Sequence, residues 1–277
     1  MTAGSTTLSS LSVTGSTSLA SLAVSGVTAL SGPLTVSLGS LSGSDTYYDM
    51  SKIANYNQMS ISSGQIQLSL AWTCGSHTLV GPDGLTYGTV VGADGNCWLD
   101  RNLGATEVAT AYNDANAYGY YYQWGRGMDG HQISTSLTTN TLSSTDQPGN
   151  SNFILAPSSP YDWRSPQNNN LWQGASGVNN PCPNGFRLPT NQEWSNLVSA
   201  AGITDYSTAF SSSLKLTLAG DRDYSSGSLS PQGGFGLYWS SSVSGANAFS
   251  LYFSSSGVSP SYSYYRAYGF SVRCIKN

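Results

Sequence analysis

Near the N-terminus, "LSSLSVTGSTS" (Leu8–Ser18) aligns without gaps on "LASLAVSGVTA" (Leu19–Ala29). Leu8 matches Leu19 and then Leu30, Leu11 matches Leu22, Val13 matches Val24, and Gly15 matches Gly26, a period of 11 residues. That period would suit a right-handed coiled coil. The Gly, Ser, Thr and Val in every repeat argue against a long helix. Leu-x-Val alternation closed by glycine instead predicts one short strand and one turn per repeat. So thin a unit cannot bury its apolar face alone. Residues 1–44 are therefore expected to be a β-stalk whose core is shared between chains, most naturally three. The alternative is a Ser/Gly-rich flexible linker, which the regular Leu/Val spacing disfavours. Pro33 interrupts the third repeat. Residues 45–70 read as a connector, with "TYYDMSKIANYNQM" as a short helix or collar.

The texture changes over residues 71–277, where Trp, Tyr and Asn alternate with Gly/Ser turns. Aromatic residues make up 12% of the chain, enough to bury a core, which makes disorder a poor reading. Charged residues are only 9%, with a net charge of -4, so no basic surface for nucleic acid or anionic membrane is expected. No apolar run approaches the roughly 18 residues needed to span a bilayer. The start "MTAGSTTLSS" lacks a positive segment followed by an apolar one, so no signal peptide is read there, which points to synthesis in a cytoplasm or to a leader that the sequence does not include.

Cys74, Cys97, Cys182 and Cys274 allow three pairings. No C-x-x-C occurs and the only histidines are His77 and His131, which disfavours zinc. Two disulfides, Cys74–Cys97 and Cys182–Cys274, are favoured, with four buried thiols as the alternative. Disulfides in a chain without a leader would suit a virion protein that oxidises after lysis.

"LTYGTVVGADGNCWLDRNLG" predicts two strands around Asp94-Gly95. "DANAYGYYYQWGRG" (114–127) is expected to be helical with an Asp cap. "LPTNQEWSNLVSAAG" is the clearest helix: Thr190 and Glu193 form a capping box, Trp194, Leu197, Val198 and Ala201 keep helical spacing, and Gly202 closes it. "SLKLTLAG", "GFGLYWSSS", "NAFSLYFSSS" and "YGFSVRCIK" read as strands. In "NAFSLYFSSS", Phe249, Leu251 and Phe253 should face the core, and Ser250, Tyr252 and Ser254 the opposite side. Phe270, Val272 and Cys274 should likewise point inward. The intervening "SSGVSPSYSYYRA" has no apolar period and predicts an exposed loop.

The motifs "GNCWLDRNLGAT", "YGYYYQWGRG", "SPYDWRSPQNNNLW", "NPCPNGFRLPTNQEW", "GLYWSSS" and "RAYGFSVRCIKN" occur in that order. Together they resemble the Fibrobacter succinogenes major paralogous domain family and its relatives, the variable proteins of diversity-generating retroelements. The N-terminal repeats resemble those of phage tail-fibre and tail-tip proteins. The resemblance implies an α+β, C-type-lectin-like fold akin to the formylglycine-generating enzyme, here over residues 71–277. It also implies a variable face in which template adenines are randomised, so that Asn codons become Tyr, Ser, Asn, Asp, Gly or Ala. Leu237–Phe270 contains no Lys, Glu, Gln or Met, and its one Trp, Trp239, lies in "YWSSS". The expected scaffold is Trp239, Phe249, Leu251, Phe253, Arg266, Gly269, Phe270, Val272, Arg273 and Cys274.

Tyrosine among Ser, Gly and Asn is the chemistry of binding loops: a large rigid contact area with little rotamer freedom to lose. The expected ligand-binding residues are Ser244, Asn247, Ser250, Tyr252, Ser254, Ser256, Ser259, Ser261, Tyr262, Ser263, Tyr264 and Tyr268. Tyr238 and Tyr265 stand evenly between packing and exposure. The expected function is attachment of a phage tail-fibre tip, as a homotrimer, to a host-cell surface protein or glycan. The alternative is a non-diversified bacterial surface adhesin.

Catalysis is not expected. The formylglycine-generating enzyme uses a close pair of reactive cysteines, and no such local pair exists here. Neither histidine belongs to a nucleophile-base arrangement, and His131 reads as a solvated loop residue. Asp221 and Asp223 around Arg222 read as a polar turn with a local ion pair rather than a glycosidase pair. "DQPGN" (146–150) is the only approach to a calcium-lectin triplet, so no metal or cofactor is expected.

Overall fold

The computed structural model describes residues 73–277 and, before them, the strands β1 (Leu34–Ser37), β2 (Gln58–Ser62) and β3 (Gln65–Ser69). The chain divides into two compact units, Met1–Ala71 and Trp72–Asn277. In the first, β3 pairs antiparallel with both β1 and β2. The 11-residue repeats, and with them the expected stalk core and most of "TYYDMSKIANYNQM", lie outside the described residues.

The second unit is α+β. Its short strands are β4 (Leu79–Val80), β5 (Thr86–Tyr87), β6 (Thr89–Val91), β7 (Cys97–Leu99), β8 (Tyr122–Gln123), β9 (Thr138–Thr139), β10 (Phe153–Ile154) and β11 (Phe186–Arg187). The helices α1 (Asn191–Ala201) and α2 (Tyr206–Ser211) follow. Then come the long strands β12 (Phe235–Ser244), β13 (Asn247–Ser254) and β14 (Gly257–Tyr264), and finally β15 (Gly269–Phe270) and β16 (Ile275–Lys276). One sheet runs β11-β16-β7-β6 and another β12-β13-β14, while β8 pairs with β15.

Helix α1 forms where local chemistry dictates. The Thr190 hydroxyl accepts from Glu193 N, and Glu193 Oε2 accepts from Thr190 N at 2.7 Å, so two orphan donors are satisfied. Gly202 ends the helix at φ +63°, a conformation that glycine adopts without a Cβ penalty. Arg187 then grips Glu193 at 2.7 and 2.8 Å, tying the helix start to β11. The Asp94-Gly95 turn joins β6 to β7, with Gly95 at φ +79°.

Sheet β12-β13-β14 is sandwiched between two cores. On one side Leu251 and Phe253 pack with Trp98, Trp194, Leu197 and Tyr238. On the other, Leu237, Trp239 and Ala248 pack with Trp124, Trp163, Phe270 and Val272. Disulfides join Cys74 to Cys97 and Cys182 to Cys274.

Arg126, Arg222, Arg266 and Arg273 are buried and act as hydrogen-bond hubs. Arg273 donates to the Leu214 carbonyl at 2.6 Å, to Asn102 Oδ1 at 2.8 Å and to the Leu99 carbonyl at 3.3 Å. A guanidinium suits this role because its five donors radiate in a plane.

Several expectations fail for tertiary reasons. Residues 114–127 form a 3-10 turn, Ala115–Ala117, capped by Asp114, and then strand β8, in place of a helix. "SLKLTLAG" buries Leu214, Leu216 and Leu218 but joins no ladder; Thr217 N donates to the Tyr238 hydroxyl, and Leu218 N to the Tyr112 carbonyl. "YGFSVRCIK" is likewise not one alternating strand, because Ser271 and Arg273 are as buried as Phe270 and Val272. His131 is fully buried, not solvated. Its Nε2 accepts from Gln123 N at 3.1 Å, so Nδ1 carries the proton toward Asp129 Oδ1 at 2.7 Å. Arg222 makes no ion pair with Asp221 or Asp223; it turns inward to the Ser136 and Ile133 carbonyls and stacks on Phe153.

Candidate functional site: a tyrosine strip on the C-terminal hairpin

The segment expected to loop outward is a strand. β14 pairs antiparallel with β13 along the sheet edge. The register slips between Ser250↔Tyr262 and Tyr252↔Ser259, leaving Pro260 and Ser261 in a bulge. Proline lacks the N–H a central strand needs, so an edge bulge is where it fits.

Strand alternation divides the expected ligand-binding residues between two faces. Tyr252, Tyr262 and Tyr264 stand on one. Asn247, Ser261 and Ser263 stand on the other, where the Asn247 amide donates to Ser263 Oγ and Asn191 of α1 donates to Ser261 Oγ. Ser250 is fully buried and donates to the Tyr262 carbonyl, so it backs the surface rather than forming it. Ser254 is also buried and bonds the exposed Ser256. Ser244 and Ser259 are half-buried. Phe249, expected in the core, is only half-buried. Tyr238 is fully buried, while Tyr265 is half-buried.

The tyrosines form a continuous relay. Phe235 meets Tyr252 at 6.2 Å between ring centroids, Tyr252 meets Tyr262 at 5.4 Å, and Tyr262 stacks on Tyr264 at 4.9 Å. Tyr264 meets Tyr268 at 5.5 Å, edge to face. Two residues absent from the sequence expectation extend it: Tyr224 lies 4.7 Å from Tyr268, and Tyr161 stacks on Tyr265 at 4.2 Å. Tyr262 is the most open, 45% exposed, against half-burial for Tyr252, Tyr264 and Tyr268, which were expected to be exposed. Phe270 supports Tyr264 and Tyr268 from below. A row of rings held by one another and by the core loses little rotamer freedom on binding.

No family model, curated protein or solved structure matches this chain.

The strip is uncharged. Burial pushes the Tyr264 phenol up to about 12, and burial with the carboxylates of Asp223 and Asp221 pushes Tyr268 up as well. Arg266, the one charged residue in Leu237–Phe270, faces inward over the Trp124 ring. It donates to Asn169 Oδ1 at 2.6 Å and the Gly245 carbonyl at 3.0 Å, pinning the β12–β13 turn.

Elsewhere a cavity of about 620 Å³ opens between Gly127–Asp129, Asp146–Ser151 and Asn179, the "DQPGN" region. Asp129 is engaged by Arg126 and His131, and Asp146 by Arg164 and Asn168, so neither carboxylate is poised as a base or ligand. Among the described residues no three His, Cys, Asp or Glu side chains converge as a metal site, and no helix is long and apolar enough to cross a membrane.

Proposed function

We propose that this chain is an attachment protein whose C-terminal tyrosine strip binds a ligand on a bacterial surface. The observation that carries the reading is the ring relay from Tyr252 through Tyr262 and Tyr264 to Tyr268, mounted on the bulged β13–β14 hairpin and partly open to solvent. Surface aromatic runs of this kind mark interaction sites. Tyrosine with serine is also the pairing that binding loops use for area plus adaptable hydrogen bonding.

The motif resemblance supports a finer version of the same proposal. The domain is C-type-lectin-like and is the variable protein of a diversity-generating retroelement. It sits at a phage tail-fibre tip, on a trimeric stalk formed by residues 1–44. The Tyr/Ser mixture without Lys, Glu, Gln or Met in Leu237–Phe270 is what randomised Asn codons would leave. Three copies would raise weak single-site affinity through avidity.

Adsorption of the labelled full chain to a panel of bacterial cells tests the proposal. Tyr262→Ala should reduce attachment at least tenfold without lowering the melting temperature, as expected for a central aromatic anchor of about 1.4 kcal/mol or more. Undiminished attachment refutes it. A monomeric mass in solution would separately refute the stalk. A reverse-transcriptase gene beside a near-copy of the gene's 3′ end, differing at adenines, tests diversification.

A further inference from the structure

We infer that Tyr161, Tyr224, Tyr265 and Tyr268 form a subsite for a cationic side chain, lysine or arginine, on a protein partner. The inference rests on reading the strip as a binding face. It adds the chemistry that one end of the strip selects.

Tyr161 stacks on Tyr265, Tyr265 lies near parallel to Tyr268, and Tyr224 makes a corner against them. Tyr224 stands at 90° to Tyr161, at 69° to Tyr265 and at 54° to Tyr268, with centroids 4.7 to 5.8 Å away. Tyr265 and Tyr268 lie near parallel, 15° apart. All four are half-buried, so each ring keeps part of its surface exposed. Rings meeting at right angles let more than one π face act on a single cation.

Two local devices hold the corner. Tyr161 sits at φ +59°, a left-handed conformation uncommon for a bulky side chain, and its carbonyl accepts from Ala267 N. Such outliers concentrate at ligand clamps. The Tyr224 turn is organised by Asp223, whose Oδ1 accepts from the amides and hydroxyls of both Ser225 and Ser226.

The charges around the corner select its occupant. Half-buried Asp223 precedes Tyr224 in the chain, and it and buried Asp221 both act on the Tyr268 phenol. The flanking cations turn away: Arg222 donates to the Ser136 and Ile133 carbonyls, and Arg266 stacks on Trp124. A phosphate or an acidic peptide therefore meets carboxylates and no free guanidinium. A neutral sugar gains a hydroxyl hydrogen bond from Asp223 but no ion pair. A lysine or arginine gains from both the rings and the carboxylates.

The test is fluorescence anisotropy with the full chain and a labelled Arg-Gly-Arg-Gly-Arg peptide, with Ser-Gly-Ser-Gly-Ser and choline chloride for comparison. The arginine peptide should bind, and more weakly as salt rises. Tyr224→Ala should weaken it roughly five- to thirty-fold, whereas Tyr224→Phe, which keeps the ring, should stay within about twofold. Val80→Ser, at an exposed residue outside the strip, should match the wild type. Equal binding by Tyr224→Ala would mean that the acidic chain attracts the peptide by net charge alone, and overturns the inference. So does absence of binding, or preference for the serine peptide or choline. Cell attachment lost in Tyr262→Ala but intact in Tyr224→Ala would overturn the cationic subsite and leave the attachment reading standing.

Discussion

Acid should loosen the platform beneath the strip through His131. Its Nε2 accepts the Gln123 amide, and Gln123 in turn donates to the carbonyls of Ile154 and Ala267. Protonating Nε2 sets two N–H groups against each other in a site with no solvent. Burial accordingly lowers His131 to about 4, outweighing the opposing pull of Asp129. With a folded value below the unfolded one of about 6.5, the unfolded chain binds the extra proton first. Stability is then full above pH 6.5 and falls as pH drops toward 4. Between pH 7.5 and 5 the loss works out at about 2 kcal/mol, and by pH 4 at about 3 kcal/mol. Asp129 is held below its ordinary range, chiefly by the His131 contact against the penalty of burial, so its protonation at lower pH acts in the same direction. Urea denaturation followed by tryptophan fluorescence at pH 7.5 and 5 measures the difference. His131→Gln provides a reference without the titrating ring. An equal pH dependence in both proteins, or a His131 ring titrating near 6.5 in the folded chain, would refute the reasoning.

Other substitutions have definite expected costs. Thr190→Ala removes the hydroxyl half of the capping box at α1, leaving Glu193 on the backbone amide, and should cost about 1 kcal/mol in a denaturant titration. Arg273→Ala strands the Leu99 and Leu214 carbonyls and Asn102 Oδ1 in the core, and should cost about 3–5 kcal/mol, visible as a collapse of the melting temperature. Cys182→Ser opens a link spanning 92 residues and should cost about 4 kcal/mol by calorimetry. Gly236→Val drives a side chain into the Phe253 ring, 2.3 Å from an ideal Cβ, and should cost about 1–3 kcal/mol on the same measurement.

What could be read from the sequence was what local chemistry decides. Thr190, Glu193 and Gly202 specify α1 within a dozen residues, and Asp94-Gly95 specifies the β6–β7 turn. The β14 strand was hidden because its signal is not local. Pro260 and the Ser/Tyr run carry no apolar period, and only pairing with β13 at a bulged edge makes them a strand. "SLKLTLAG" misled in the opposite way: its apolar alternation is real, but Tyr238 and Tyr112 take the backbone bonds a ladder would need. His131 became a core residue through Gln123, eight residues away, a contact invisible to spacing. The tyrosine-rich hairpin itself stood out as a candidate, but which side chains share a face depended on register. Tyr161 and Tyr224 come from distant turns, and only "SPYDW" and "DRDYSSG", as tyrosines beside turn formers, hinted at them.

Oxidative footprinting of the full chain, free and adsorbed to cells that it attaches to, tests the central claim most directly. Tyr252, Tyr262, Tyr264 and Tyr268 should be protected together on adsorption, while Tyr112, 36% exposed and outside the relay, keeps its reactivity. Undiminished oxidation of Tyr262 on the cell-bound chain would contradict the account.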